Sequence, residues 1–363
     1  MKVFLDTNVF YNNWFVGNPN FKLLFSYLNN EQEDLLLSDL VLQEVENIRN
    51  RKVGESLSEI NRQIKKIQKL NPDKLIFNES ELNIKNYNLS ELLIKHVESI
   101  EKIGYEQISH IDLVYRLMMS KKPFSGQEKG YRDALIWLSF VDYLSSNNIE
   151  GKVVFVSNNK SDFYTVKNNK ICFHPDLQND LKKNNIKANI VPYLNLFDFV
   201  NTEIDRDEYL IDKIKLADEL DDYLIEQTEK HLTNLDKNEL SELLNTNLFK
   251  DKITQILGIE SDTWDLVDDT EIINVSKLSE SEVYLSCQYI VSGMDLIVSI
   301  DVIEYNQHKD EIDSMIGCYD VKIDKKNSIA ILSFTFKAYV SGSLLFDMKN
   351  KLPRELHIEN ISI

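Results

Sequence analysis

Lys2-Val3-Phe4-Leu5 is a short apolar run that stops at Asp6, and Leu35-Leu36-Leu37 is a second that stops at Ser38. Continuous apolar runs of this length, closed by a polar residue, are what strands buried on both faces of a parallel sheet require. Ser38 can accept a hydrogen bond from the first turn of a following helix, so a helix over 39–50 is expected, with Leu40, Glu44 and Asn47 on one stripe. A strand followed by a helix, repeated, gives an α/β fold.

Working outward, 51–122 reads as a helical insertion. Within it Leu57, Ile60, Ile64 and Ile67 share one helical face, and Arg62, Lys65, Lys66 and Lys69 share another. The α/β pattern resumes with a helix over 131–145 and a strand at 153–156, VVFV. A short helix around 176–184 and a last strand near 188–192 complete a mostly parallel sheet. The expected first domain is therefore residues 1–200.

Beyond Asp198 the pattern changes. Residues 201–257 are acidic and helical in period, with Leu210, Ile214, Ala217, Leu220 and Leu224 spaced for one face. The period then drops to two: Leu296, Val298, Ile300 and Val302 alternate with Ile297, Ser299, Asp301 and Ile303, and Ala330, Leu332, Phe334, Phe336 and Ala338 alternate with mostly polar neighbours. Asp324-Lys325-Lys326-Asn327 and Ser292-Gly293 read as turns. Residues 201–363 are thus expected to form a second, acidic domain of α+β class with a mostly antiparallel sheet.

The length of 363 residues suits two domains or three, and 43% hydrophobic with 28% charged residues excludes a disordered or collagen-like chain. No apolar run approaches the roughly 18–20 residues of a membrane-spanning helix, and the start has no signal-peptide pattern, so no membrane partner is expected. Cys172, Cys287 and Cys318 are too far apart for a zinc spacing or a disulfide framework, which points to the cytoplasm. The net charge of −18 would argue against nucleic acid if it were spread evenly. It is not: residues 1–200 carry 25 basic and 25 acidic side chains, so the whole excess lies on 201–363. That asymmetry suggests a protein partner for the acidic domain, or a device limiting access of nucleic acid. An acidic surface that simply keeps the protein soluble is the plainer reading.

In an open α/β sheet the site lies beyond the carboxyl ends of the strands. Four acids qualify: Asp6 after the first strand, Glu44 in the helix after the second, Asp133 in the first turn of the 131–145 helix, and Asp162 just past VVFV. Right-handed crossovers would bring all four to one edge, where their mutual repulsion favours a cation. Oxygen ligands without His or Cys suit Mg²⁺ or Mn²⁺, and such an ion polarises a phosphodiester and lowers the pKa of bound water. Taken singly, Asp133 could merely complement the helix dipole, and Asp6 or Asp162 could be turn or cap residues. No histidine falls in a recognisable triad, and there is no Walker-type loop.

FLDTNVF, LQEVEN, GYRDALIW and VSNNKSDF, in this order and on these elements, resemble the signature segments of the PIN-domain nucleases. GYRDALIWLSF with the long insertion resembles a bacterial PIN-like subfamily. The resemblance covers roughly residues 1–200 and implies an endonuclease, commonly of single-stranded RNA. It assigns Asp6, Glu44, Asp133 and Asp162 as catalytic metal ligands, with Ser157 in the place of the family's Ser or Thr. Asn159 stands where the family varies between Asp and Asn; being neutral, it weakens the case for a second metal. Thr7 and Asn8 would orient the backbone or a water.

Basic residues could hold the phosphates. Arg49, Arg51 and Lys52 lie beyond Glu44, Lys121, Lys122, Lys129 and Arg132 lead into Asp133, and Lys160 adjoins Asp162. Tyr131 could stack on a base, whereas Phe163, Trp137 and Phe140 read as core. The functional expectation is an Mg²⁺- or Mn²⁺-dependent endoribonuclease, toxin-like or anti-phage in role, with a homo-oligomer allowed. The alternatives are a nuclease acting on DNA and a non-catalytic PIN-like module that binds nucleic acid or protein.

Overall fold

In a computed structural model the chain is described over residues 1–71, 78, 82, 84–124, 129–167, 170–204, 213–265 and 267–363. The first apolar run forms β1 (Lys2–Leu5), followed by α1 (Pro19–Glu31), β2 (Asp34–Ser38) and α2 (Asp39–Gln68). Then come α3 (Leu89–Ile94), β3 (Ile100–Ile103), α4 (His110–Met118), α5 (Tyr131–Ser146) and β4 (Lys152–Val156). A short α6 (Lys160–Phe163), the hairpin β5 (Tyr164–Lys167) and β6 (Lys170–Phe173), α7 (Pro175–Lys183), β7 (Asn189–Tyr193) and α8 (Leu196–Glu203) complete this part.

β1, β2, β3, β4 and β7 make one five-stranded sheet in the order β3-β2-β1-β4-β7, and every pairing is parallel. Val3–Leu5, Leu35–Leu37 and Val153–Val156 are fully buried, as strands covered on both faces must be. Phe4 stacks on Phe155 at 4.9 Å between centroids, and Trp137 and Phe140 of α5 close over the same rings. The chain builds outward from β1 to β2 and β3, then crosses to the other side of β1 for β4 and β7. The strand order therefore reverses between β1 and β4, the position at which open α/β sheets hold their ligands.

The stretch 51–122 differs from a purely helical insertion in two ways. Its first helix is not a separate element, because α2 runs unbroken to Gln68. No proline interrupts it, and its one glycine, Gly54, costs about 1 kcal/mol, too little to end a 30-residue helix. The stretch also contains β3, an edge strand paired with β2. Ile100-Glu101-Lys102-Ile103 is too short to display a period, and its two charges suit an exposed edge.

The second compact unit groups Asp205–Ile363 with Asn18–Leu23, and the first groups Met1–Gly17 with Leu24–Ile204. In the second, α9 (Lys213–Asp218), α10 (Asp221–Thr233) and α11 (Lys237–Leu243) precede β8 (Ile256–Thr263), β9 (Val267–Lys277) and β10 (Glu282–Asp301). After α12 (Val302–Gln307) and α13 (Lys309–Asp313) come β11 (Cys318–Asp324), β12 (Ile329–Asp347) and β13 (Leu352–Ser362), and every pairing in this sheet is antiparallel. The turn at 324–327 is where the residues placed it, with the Asp324 carboxylate accepting from the backbone N–H groups of Lys326 and Asn327. Leu210 lies outside the described residues.

Ser292-Gly293 is not a turn. It is a bulge inside β10, where the register against β12 shifts between Val291 and Met294 and Gly293 adopts φ 65°. Before the bulge the odd positions Val283, Leu285, Cys287, Tyr289 and Val291 face the core; after it the even positions Met294, Leu296, Val298 and Ile300 do. The extra residue flips the parity so that one 20-residue strand keeps a single buried face while pairing with β9 along one half and β8 along the other. Val302 and Ile303 do not extend the alternation, because Asp301 caps α12 at Ile303 N. A Cβ on Gly293 would stand 2.8 Å from the Trp264 ring, so Gly293→Ala combines a strained φ with a clash. It should lower stability by about 1–3 kcal/mol in urea melts; a wild-type midpoint would show that the bulge tolerates a side chain. Among the described residues no helix is long and apolar enough to cross a membrane.

Candidate functional site

Asp6 follows β1 directly and continues the sheet, its N–H donating to the Val156 carbonyl at 3.0 Å. Its side chain caps the 3-10 turn Thr7–Phe10, with Oδ1 accepting from Thr7 N at 2.8 Å. Oδ2 accepts from Ser157 Oγ at 2.6 Å and from Asn8 Nδ2 at 3.1 Å. Asn8 also donates to Ser157 Oγ and accepts from Asn158 N at 2.9 Å. Thr7, Asn8 and Ser157 thus tie the ends of β1 and β4 together around one carboxylate that is only 2% exposed.

Glu44 stands in the second turn of α2, which starts at the Ser38 cap. Its Oε2 accepts from Thr7 Oγ1 at 2.9 Å, and its Oε1 is paired with Arg132. Asp133 lies in the first turn of α5, which is set by Gly130 at φ 102°. A Cβ on Gly130 would fall 2.4 Å from the Pro123 carbonyl oxygen, so only glycine lets α5 begin this close to that segment. Asp133 is hydrogen-bonded to the Asn159 side chain. Asp162, in α6, accepts from Ser161 Oγ and from Lys122 Nζ, both at 3.3 Å.

The electrostatics show these acids acting on one another. Burial, followed by the charges of Asp133 and Glu44, pushes Asp6 up to about 7 against the opposing hydrogen bond from Ser157. Burial and the charges of Asp162 and Glu44 push Asp133 up to about 6. Asp6, Glu44 and Asp133 are thus within electrostatic reach of one another and Asp162 is within reach of Asp133, and the excess negative charge is partly relieved by protons at neutral pH. The donors are all hard oxygens, which fits Mg²⁺ or Mn²⁺ in kind. They are not drawn into a common coordination sphere, because among the described residues no three His, Cys, Asp or Glu side chains stand in metal-holding geometry. Arg132 on Glu44 and Lys122 on Asp162 account for that: two of the four carboxylates are already paired within the chain.

Residues 3–163 match the family model of the PIN domain. They are a PIN domain. The match spans all four acids and ends at Phe163, and it brings a nuclease-type fold. No curated protein and no solved structure matches the chain.

The basic residues fall into two groups around this PIN domain's acids. Arg132 and Lys160 are exposed beside the site, and Lys129 is exposed at the approach to α5. The other group lies further along α2: Arg51 is seven residues beyond Glu44 on the same helical face, about 10 Å away along the axis. Arg49 instead packs on the Tyr87 ring at 5.2 Å and Lys52 on the Trp14 ring at 5.5 Å, which gives both a structural task. Tyr131 is exposed, as a stacking residue must be, and Phe163 is fully buried in the aromatic core.

One site neighbour, Tyr11, is not marked by the sequence, and another, Lys122, is read there only as one of several basic residues that could hold phosphates. Tyr11, at the end of the 3-10 turn, is pushed up to about 12 by burial and by the charges of Glu44 and Asp6, so it presents a neutral hydroxyl to the acids. Nothing local to its sequence marks it. Lys122 appears in the sequence as one of several basic residues, and what separates it from Lys121 is its pairing with Asp162.

Proposed function

We propose that the PIN domain is a metal-dependent endonuclease whose commonest substrate is single-stranded RNA. The observation that carries this reading is the pair of acids Asp6, buried, and Asp133, half-buried, both pushed above the ordinary carboxylate range at the strand-order switch point of a nuclease-type fold. Asp6, Glu44, Asp133 and Asp162 would hold Mg²⁺ or Mn²⁺, with Ser157, Thr7, Asn8 and Asn159 fixing the carboxylates' orientation. The bound ion would supply Lewis acidity to the scissile phosphate and lower the pKa of the attacking water. The water oxygen bonds to phosphorus, the P–O3′ bond breaks, and the electron pair and a proton go to the leaving oxygen. A 5′-phosphate and a 3′-hydroxyl result. Lys129, Arg132 and Lys160, with Arg51 further out, would hold the phosphates on either side without reading bases.

The test is incubation of the full chain with labelled single-stranded RNA and DNA in Mn²⁺, Mg²⁺ or EDTA. Cleavage of RNA, faster than of DNA and lost in EDTA, is expected. A second reading, a nucleic-acid-binding module without catalysis, is favoured by the internal pairing of Glu44 and Asp162. Binding without cleavage in either metal would establish it in place of the first.

A further inference from the structure

The Lys122–Phe124 segment is held on several sides by contacts that do not involve the Lys122 side chain. The Lys122 carbonyl accepts from the Arg116 guanidinium, with Nε at 2.7 Å, and the Lys122 N–H donates to Asp176 Oδ2 at 3.0 Å. Arg116, 5% exposed, is itself fixed by Asp180 at 2.6 Å, and Asp180 also accepts from Trp137 Nε1 at 2.9 Å. The Pro123 carbonyl lies against Gly130 at the start of α5. Backbone anchors from α4, α5 and α7 thus set one side chain in place, and its ammonium stands 3.3 Å from Asp162 Oδ1 with both side chains largely covered, 23% and 17% exposed.

The two internal cations differ. Arg132 reaches Glu44 from the rim with its own side chain 65% exposed, so it can exchange its carboxylate for a phosphate without moving the backbone. Lys122 is covered and its backbone is pinned. A divalent ion placed beside Asp162 would meet that ammonium at close range, a repulsion that a partly buried setting screens poorly. Asn159, hydrogen-bonded to Asp133, adds no charge that could offset it.

Resting on the nuclease reading, we propose that Lys122 is the built-in second cation of this site: it occupies the Asp162 side, so the site takes one divalent ion, which would draw Asp6, Glu44 and Asp133 together as Arg132 leaves Glu44, and the ammonium supplies the other positive charge facing the scissile phosphate. A compact ammonium with three donors suits a task of charge and contact at short range.

Lys122→Gln tests this, because the backbone anchors survive the change and Gln keeps much of the length. Mn²⁺ binding to the full chain is counted by calorimetric titration. One ion is expected for wild type, two for Lys122→Gln as Asp162 is freed, and one for Lys122→Arg. The count decides: two ions on wild type, or the same number on wild type and Lys122→Gln, overturns the proposal. Cleavage is read in parallel. Lys122→Gln should be slower by roughly 10²-fold, the scale for removing one preorganised charge contact, with part of the rate returned by Lys122→Arg. A rise from one ion to two with no cleavage by any variant would retire the nuclease reading alone. Cleavage with an unchanged count would retire the Lys122 proposal alone.

Discussion

Asp133→Asn should abolish cleavage, by roughly 10³-fold or more, and at the same time make the metal-free protein more stable at pH 8. On the proposed metal reading the loss follows from removing a charge at the centre of the group, because Asp133 is the acid that both Asp162 and Glu44 act on, with the Arg132 charge offsetting only part of their repulsion. The gain follows from the same fact. At pH 8 the Asp133 carboxylate is ionised against burial and two neighbouring charges, and a neutral isostere removes that unfavourable term. A shift from 3.8 to about 6 corresponds to a gain of about 1–3 kcal/mol. Asn159 can turn its amide to keep the hydrogen bond. Asp6→Asn should lose cleavage as fully without the same gain, because Asp6 accepts from Thr7 N, Asn8 Nδ2 and Ser157 Oγ, and an amide cannot accept at both ends. Thermal melts in EDTA beside the cleavage assay check both. An Asp133→Asn protein that melts below wild type at pH 8 would mean that Asp133 is not under repulsion.

This opposition of function and stability bears on what the sequence could disclose. A strand buried on both faces must be apolar throughout and must end on a polar residue, so β1 and β2 announce themselves and Asp6 with them. Glu44 follows from helical spacing after a serine cap, and Asp133 from its place in a first turn. Lys122 carries no such mark. Its position is set by Asp176 and Asp180, more than fifty residues away, and by an arginine on α4, so its side chain reads like Lys121's until the contacts are known. β3 is illegible for another reason: four edge residues, of which only Ile103 is buried, obey no period. Gly293 shows a signal read for the wrong structure, since Ser-Gly suits a turn and a bulge alike. Only the change from odd to even buried positions across it separates the two, and that change was already written in Val291 and Met294.

Manganese should stabilise the protein far more at pH 8 than at pH 5.5. Asp6 at about 7 and Asp133 at about 6 both lie above their unfolded value of 3.8, so between pH 4 and pH 7 the folded chain holds protons that the unfolded chain has released. Stability from these two groups is therefore complete below pH 4 and is lost as pH rises through 6 and 7. An ion that binds the carboxylates must displace those protons. At pH 5.5 both groups are mostly protonated, and the competition weakens apparent affinity by roughly 10²-fold relative to pH 8. Ion at about a hundred times its dissociation constant adds about 2.7 kcal/mol, which for a domain of this size raises the melting temperature by about 5–10 °C. The expected result is a shift of that order at pH 8, much of it gone at pH 5.5, reversed by EDTA and absent from Asp133→Asn. Melts of equal displacement at the two pH values would separate ion binding from Asp6 and Asp133. No displacement at pH 8 would mean that the repulsion among these acids is relieved by Arg132, Lys122 and protons alone.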